Sequence, residues 1–368
     1  MSNEYPTRRN PAKILVAISV VAIVVVAAYA YVTWPKPNFT VYTYDSFMAW
    51  GEANDTQIFS DFERRYGVNL EIRRLETDAN GIVARLKAEE ANPVADVVIG
   101  IDNILILQSE AKGVLEPYTP SNIDVVDSEV VANLDEEHYV VPFDMGLVTV
   151  IYNSNDINST SHPALDELTF SDLSDMASML VTEDPRFSSP GLSFLLSQIA
   201  VYSEILEEDW TSWWTEVRED IDVEEGWTEA WNTWYETDAR KLLVSYGTDP
   251  AYDAYYSGEE PLTRVAPYHY NGNDYAWMQI EGIGLVKNGP NPELGRAFIE
   301  YCLSEKVQSY IGLNQWMFPV NTDVEMNPVF QHALHPDDVE VLNSLLNSTI
   351  IEENLNDWLS QYETIMIG

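Results

Sequence analysis

With a single cysteine in 368 residues, the chain can form no internal disulfide. Basic residues are also scarce: 19 Lys and Arg stand against 60 Asp and Glu, a formal net charge of −41. That balance excludes a nucleic-acid-binding surface, because phosphate backbones are held by clustered Lys and Arg. The five histidines are scattered. His332 and His335 are three residues apart, but no HExxH or equivalent acidic frame surrounds them, so the ligand set of a metal-dependent hydrolase is missing. Neither a G-x-x-x-x-G-K-[ST] loop nor a G-x-G-x-x-G loop occurs, which removes the usual phosphate cradles of nucleotide hydrolysis and dinucleotide chemistry. No paired nucleophile and base is legible either. The sequence reads as a protein that is not an enzyme and has no resident metal or cofactor.

What is present is a core. Hydrophobic residues make up 46% of the chain and aromatics 12%, too apolar for a disordered acidic polymer. A length of 368 residues suggests two lobes rather than one. Ile14 to Trp34 is free of charge and rich in Ile, Val and Ala, long enough for a helix to cross a bilayer. Arg8, Arg9 and Lys13 precede it, which leaves residues 1–13 as a cytoplasmic tail and everything after Lys36 outside. The run is longer than the apolar region of a secretory signal, so it reads as a retained anchor, with a cleaved signal as the alternative. Nearly all the acid belongs to the exported part, and a self-repelling surface of this kind suits a salty milieu. Asn38, Asn54, Asn158 and Asn347 match the N-glycosylation pattern, a weak three-residue signal.

Beyond Trp34-Pro-Lys-Pro-Asn, FTVYTY at Phe39–Tyr44 predicts a strand, Gln57–Tyr66 a helix, Asn69–Leu75 a strand, Gly81–Glu90 a helix and Ala95–Ile101 a buried strand. Such β-α-β-α-β alternation predicts an α/β sheet with helices on both faces and ligands beyond the carboxyl ends of the strands. Tyr139–Asn153 and Trp277–Lys287 are candidates for strands crossing between lobes. Trp227, Trp231 and Trp234 form one helical stripe, which reads mostly as core packing. Asn291–Ser309 predicts a helix capped by Asn291 with Pro292 in its first turn. Pro336–Leu345 and the stretch from Asn354 predict two more.

Five aromatic segments interrupted by small polar residues stand out: VYTYDSF (41–47), DPRFSSPGL (184–192), EGWTEAW (225–231), VSYGTDPAY (244–252) and NQWMFPV (314–320). With ADVVIGIDN (95–103) and VPFDMG (141–146), and in this order, the chain closely resembles the periplasmic thiamine-binding proteins of ABC transporters over about residues 39–365. The resemblance implies a two-lobed periplasmic-binding-protein fold of type II, one lobe spanning 38–143 with 284–368 and the other 144–283. It implies a monomer that closes on thiamine, its monophosphate or its diphosphate and delivers it to a membrane permease. Carried over by motif, ligand contacts fall on Asp78 and Ala79 of LETDANG, Ser188 and Ser189, Trp227, and Tyr246, Gly247, Thr248 and Asp249, with Tyr44, Tyr252 and Trp316 at aromatic positions near the ligand. One residue is extra near Asp78, and Ala79 stands where relatives have Gly.

The residue chemistry is consistent with that implication. A thiazolium cation binds aromatic faces for about 0.5–2 kcal/mol each, and Tyr44, Trp227, Tyr246, Tyr252 and Trp316 supply faces. Asp78 or Asp249 offers a carboxylate to the amine or the ring charge. Ser188-Ser189-Pro190 before an apolar run reads as a helix start whose free N–H groups suit an anionic tail. The hinge is expected near Asp144 and Gly282–Gly284. Competing readings are a ferric-ion carrier of the same fold, for which Tyr255-Tyr256 would supply phenolates, an extracellular enzyme, and a structural surface protein.

Overall fold

The computed structural model describes residues 35–367 apart from 76, 78 and 238. The expected anchor at 14–34 and the candidate contact Asp78 therefore lie outside the described residues. Among the described residues no helix is long and apolar enough to cross a membrane.

The first part of the described chain follows the predicted alternation: β1 (Asn38–Tyr44), α1 (Asp55–Tyr66), β2 (Asn69–Leu75), α2 (Ala79–Ala88) and β3 (Val97–Asp102). β1 lies between β2 and β3, parallel to both. α1 begins because Asn54 accepts from the Gln57 backbone while the Gln57 side chain returns the bond, and it ends because Gly67 adopts φ 66°. Its buried face of Ile58, Phe59 and Phe62 meets Phe39 and Phe298 in one core cluster.

Two 14-residue strands, β4 (Val140–Asn153) and, later in the chain, Asn273–Val286, cross the molecule as predicted and pair antiparallel with each other. Between them the chain lays down β5 (Leu180–Glu183), α3 (Ser189–Ala200), α4 (Thr211–Val217), β6 (Asp222–Glu224), α5 (Trp227–Tyr235), β7 (Leu242–Tyr246) and α6 (Asp249–Ser257). With Asn273–Val286 as β8, the main path of the sheet runs β2-β1-β3-β8-β4-β7-β5-β6. Both crossing strands thus belong to two halves of one mixed sheet. Each half has its own aromatic core, Phe39, Phe62 and Phe298 in the first and Phe170, Phe194, Trp213 and Trp214 in the second.

Three expectations about the C-terminal third need correction. Asn291–Ser309 is two helices, α7 (Pro292–Cys302) and α8 (Glu305–Asn314). The Ser304 hydroxyl bonds the Tyr301 carbonyl at the break, the kind of local side-chain bond that competes with helix. Asn291 makes no side-chain cap; its backbone N–H and its side-chain NH2 both donate to Asp96. Pro336–Leu345 is not one helix: Glu340 and Val341 add a short parallel edge to β8, and Asn343 bonds the Met278 backbone in both directions. Tertiary pairing there overrides propensity. Finally, the last helix, α9 (Ser348–Ile367), was expected to belong with residues 38–143. It packs instead on α4 in the second half, where Tyr362 meets Trp214 edge-on at 4.8 Å.

Candidate ligand cavity between the two halves

A cavity of about 770 Å³ opens where the two halves face each other, at the carboxyl ends of β1, β3 and β7. One side is aromatic. Trp50, Trp227, Trp231 and Tyr252 form a closed cycle of ring contacts: Trp50–Trp227 5.7 Å, Trp227–Trp231 5.3 Å, Trp231–Tyr252 6.2 Å and Tyr252–Trp50 6.4 Å. Trp316 joins it edge-on to Tyr252 at 5.1 Å. The helical stripe read as core is therefore divided. Trp234 is buried against β5 and β7, whereas Trp227 and Trp231 line the cavity. A start at α5 with Gly226 in extended backbone turns Trp227 inward, and its indole N–H donates to Ser245 Oγ at 2.9 Å. Trp316 has φ 58°, unusual for a bulky side chain. Its indole N–H bonds the Trp50 carbonyl at 2.9 Å, and its ring lies parallel to Phe330.

The opposite side is polar. Tyr44 at the end of β1 donates its hydroxyl to Glu281 Oε2 at 2.6 Å and accepts from the Gln315 side-chain amide. Gln279 Nε2 reaches Glu281 Oε1 at 3.2 Å, and the Tyr246 hydroxyl donates to Gln279 Oε1 at 3.1 Å. Gly100, with φ 107°, lets the Tyr44 ring lie against the backbone of β3, since a Cβ there would meet the ring at 2.6 Å. Burial pushes the Glu281 carboxyl up to about 7, against the Tyr44 bond that pulls it down and with the Asp102 charge that adds to the rise. Asp144 is fully buried and neither of its oxygens finds a partner among the described residues, so burial and the adjacent Glu281 hold it well above the usual carboxylate range. Asp249, the first residue of α6, is pushed up to about 7 by burial, opposed by bonds from Ser245 Oγ and the Tyr246 N–H.

At the third corner α3 starts with its first turn on the cavity. Ser188 occupies the cap position but makes no side-chain cap, and Ser189 Oγ donates across to Asp102 Oδ2 on β3. That bond joins the two halves. Arg186 lines the cavity beside this start and is engaged with Asp184 and Glu363.

Of the residues singled out by motif, Tyr44, Ala79, Ser188, Ser189, Trp227, Tyr246, Asp249, Tyr252 and Trp316 all line this cavity. Gly247 and Thr248 do not. Gly247 is wedged between strand and loop, its N–H on the Leu147 carbonyl and its carbonyl on the Leu334 N–H, and Thr248 is fully buried behind it. They turn the chain so that Asp249 returns to the cavity. Tyr255 and Tyr256 also lie outside the lining: Tyr256 donates to the Trp50 carbonyl and Tyr255 packs on Trp316. The motifs do not single out Trp50, Trp231, Arg186, Gln279, Glu281 or Gln315, all of which line the cavity. For Gln279 and Glu281 a signal exists, two polar residues at alternate positions in the apolar crossing strand WMQIEGIGLVK.

Residues 44–309 match the family described as bacterial extracellular solute-binding protein. The thiamine-binding periplasmic protein of Escherichia coli (strain K12) is 30% identical over 286 residues, covering 77% of this chain and 81% of that protein. Its Salmonella typhimurium (strain LT2) counterpart is 30% identical over 82% of this chain and 86% of its own length. A solved structure of a periplasmic thiamin binding protein superposes with a TM-score of 0.73 at 27% identity, covering 90% of this chain and 96% of that one. Shared sequence over most of the length, and a cavity built between halves joined by two crossing strands, make this chain a member of the bacterial extracellular solute-binding proteins.

Proposed function

We propose that the chain captures thiamine or one of its phosphate esters outside the cytoplasmic membrane and passes it to an ABC transporter permease. The observation that carries this reading is the pairing, in one cavity, of a closed aromatic cycle with a floor of buried carboxyls. A flat, permanently cationic ring is the ligand chemistry that both sides favour. The aminopyrimidine finds a carboxyl in Asp249, and the first turn of α3 offers its positive end to a hydroxyl or phosphate tail. The names of the similar proteins point the same way. In this proposal the protein acts as a monomeric carrier, without catalysis or a resident cofactor, and the apolar run 14–34 holds it at the membrane.

Thermal shift and calorimetry with thiamine, its monophosphate, its diphosphate and Fe(III) test the reading. A ligand at 100 times its Kd should stabilise the fold by about 2.7 kcal/mol. Silence towards every thiamine compound would discard it, and a response to Fe(III) alone would replace it with the ferric reading.

A further inference from the structure

We infer that Glu281 is the counter-ion for the permanent positive charge of the ligand and gives up a proton to solvent when the ligand arrives, so that capture is coupled to proton release. The inference rests on the thiamine reading above and deepens it.

The geometry begins with strand register. On β8, Glu281 lies directly across from Asp102 of β3 on one side and Asp144 of β4 on the other. Directly paired residues share a face of the sheet with Cβ atoms about 5 Å apart, so three carboxyls form one row at the crossing. Only the central one opens into the cavity, where Glu281 is 7% exposed. Asp102 is occupied, capping the turn that follows β3 through Ile104 and Leu105 and accepting from Ser189. Asp144, with 0% exposure, finds no hydrogen-bond partner for either oxygen among the described residues. Two acids thus lie against each other at the floor of an aromatic cavity, an arrangement that a cationic ligand favours.

Among the described residues, the other elements packed against Glu281 supply it no positive charge. β1 contributes Tyr44, which bonds it, β7 contributes Tyr246, and β5 and α6 contribute Glu183 and Asp249, both acting on the same buried region. Arg186, on the cavity wall, is engaged with Asp184 and Glu363. Two like charges a strand apart in a buried row disfavour ionising together, and the raised carboxyls of Glu281 and Asp144 agree with that. A thiazolium ring carries no acidic N–H, so it is recognised by charge and by π faces alone. Its arrival turns Glu281 from acid to carboxylate and one proton leaves for solvent. The sign follows: affinity rises with pH while free Glu281 is still protonated and levels off above about 7.

Calorimetry of thiamine binding in pairs of buffers with different ionisation enthalpies, from pH 5 to pH 8.5, counts the protons. The wild type should release close to one proton at pH 5.5 and almost none at pH 8.5, with affinity rising up to tenfold per pH unit on the acid side. Glu281→Gln should lose the proton release and bind at least tenfold more weakly at pH 8. A matched pair of probes, the neutral hydroxyethylthiazole half of thiamine and its N-methylated cation, isolates charge. The wild type should prefer the cation at least tenfold, and Glu281→Gln should not. If thiamine binds the wild type with no proton release at any pH, the coupling is wrong. If Glu281→Gln keeps the preference for the cation, the counter-ion assignment is wrong. Binding of no thiamine compound by the wild type defeats the underlying reading instead. A wild-type count of zero needs no variant and overturns the coupling even where Glu281→Gln folds poorly, and Asp249→Asn, which removes the other cavity carboxyl raised to about 7, should keep the release.

Discussion

The aromatic side of the cavity and its acidic floor are held in different ways. Trp227, Trp231 and Tyr252 sit on two helices, stay half-exposed, and with Trp50 close a cycle in which three of four contacts are edge-on. Tyr44, Gln279, Glu281 and Tyr246 sit on β1, β8 and β7, and each hydrogen-bonds another member of the floor. Edge contacts are individually small and tolerate sliding. A buried hydrogen-bonded row does not, because each group lost leaves another unsatisfied. The side built from rings therefore supplies contact area to a ligand, whereas the floor supplies orientation, charge and sensitivity to pH.

Trp316 is the sharpest challenge to that division, since it faces the cavity yet is only 5% exposed and lies parallel to Phe330 at 6.1 Å. It belongs energetically to the core. Trp316→Ala should cost about 3–5 kcal/mol of stability in the ligand-free protein, read by chemical denaturation. A loss below about 1 kcal/mol would return Trp316 to the class of Trp227.

The floor predicts the next largest effect. Glu281 and Asp249 are both raised to about 7 in the folded protein. Between the ordinary carboxylate range and about 7 the native state thus binds more protons than the unfolded chain, and stability falls as pH rises through that window. Each group contributes on the order of 3 kcal/mol at low pH that is lost above about 7. Unfolding free energies of the ligand-free wild type and Glu281→Gln, measured from pH 5 to pH 8, should diverge with the wild type falling further. Parallel curves would remove Glu281 from the titrating floor.

How much of this was legible follows the same division. The strands came through because apolar period is a local signal, whereas Tyr44, Trp227 and Tyr252 were singled out through the aromatic segments that carry the family resemblance, the tryptophan stripe by itself reading as core. The floor was hidden because it exists only through register. Nothing in the sequence says that Glu281 will face Asp102 and Asp144, positions far apart in the chain. Gly247 and Thr248 share a motif with Asp249, but a motif does not say which members face inward and which make the turn. The helix expected at Pro336–Leu345 failed for a similar reason, since its backbone is claimed by the edge of β8.

Trp227 then tests the aromatic side. Trp227→Leu keeps much of the apolar volume but removes the π face and the bond to Ser245. Thiamine affinity should fall by about 0.5–2 kcal/mol, with much less effect on stability than Trp316→Ala. Unfolding of the variant, or unaltered binding, would contradict the role given to the aromatic cycle.

The smallest effect separates ring from hydroxyl at one residue that belongs to both sides. Tyr246 presents its ring to the cavity, and its hydroxyl donates to Gln279 Oε1, leaving the Gln279 amide N–H directed at Glu281. Tyr246→Phe retains the ring and deletes that donor. Gln279 is then free to turn over, and a carbonyl facing Glu281 would repel the carboxylate where the amide N–H had bonded it. Binding of thiamine should weaken by about 0.5–1.5 kcal/mol, the usual worth of one hydrogen bond. The loss should be larger at pH 5.5, where the free carboxyl is protonated and can donate to the turned carbonyl while the complex needs the carboxylate, than at pH 8, where Glu281 is ionised with and without ligand. Titration calorimetry at the two pH values measures the difference. An equal loss at both would mean that the hydroxyl acts on the ligand directly and that Gln279 does not orient towards Glu281 through it.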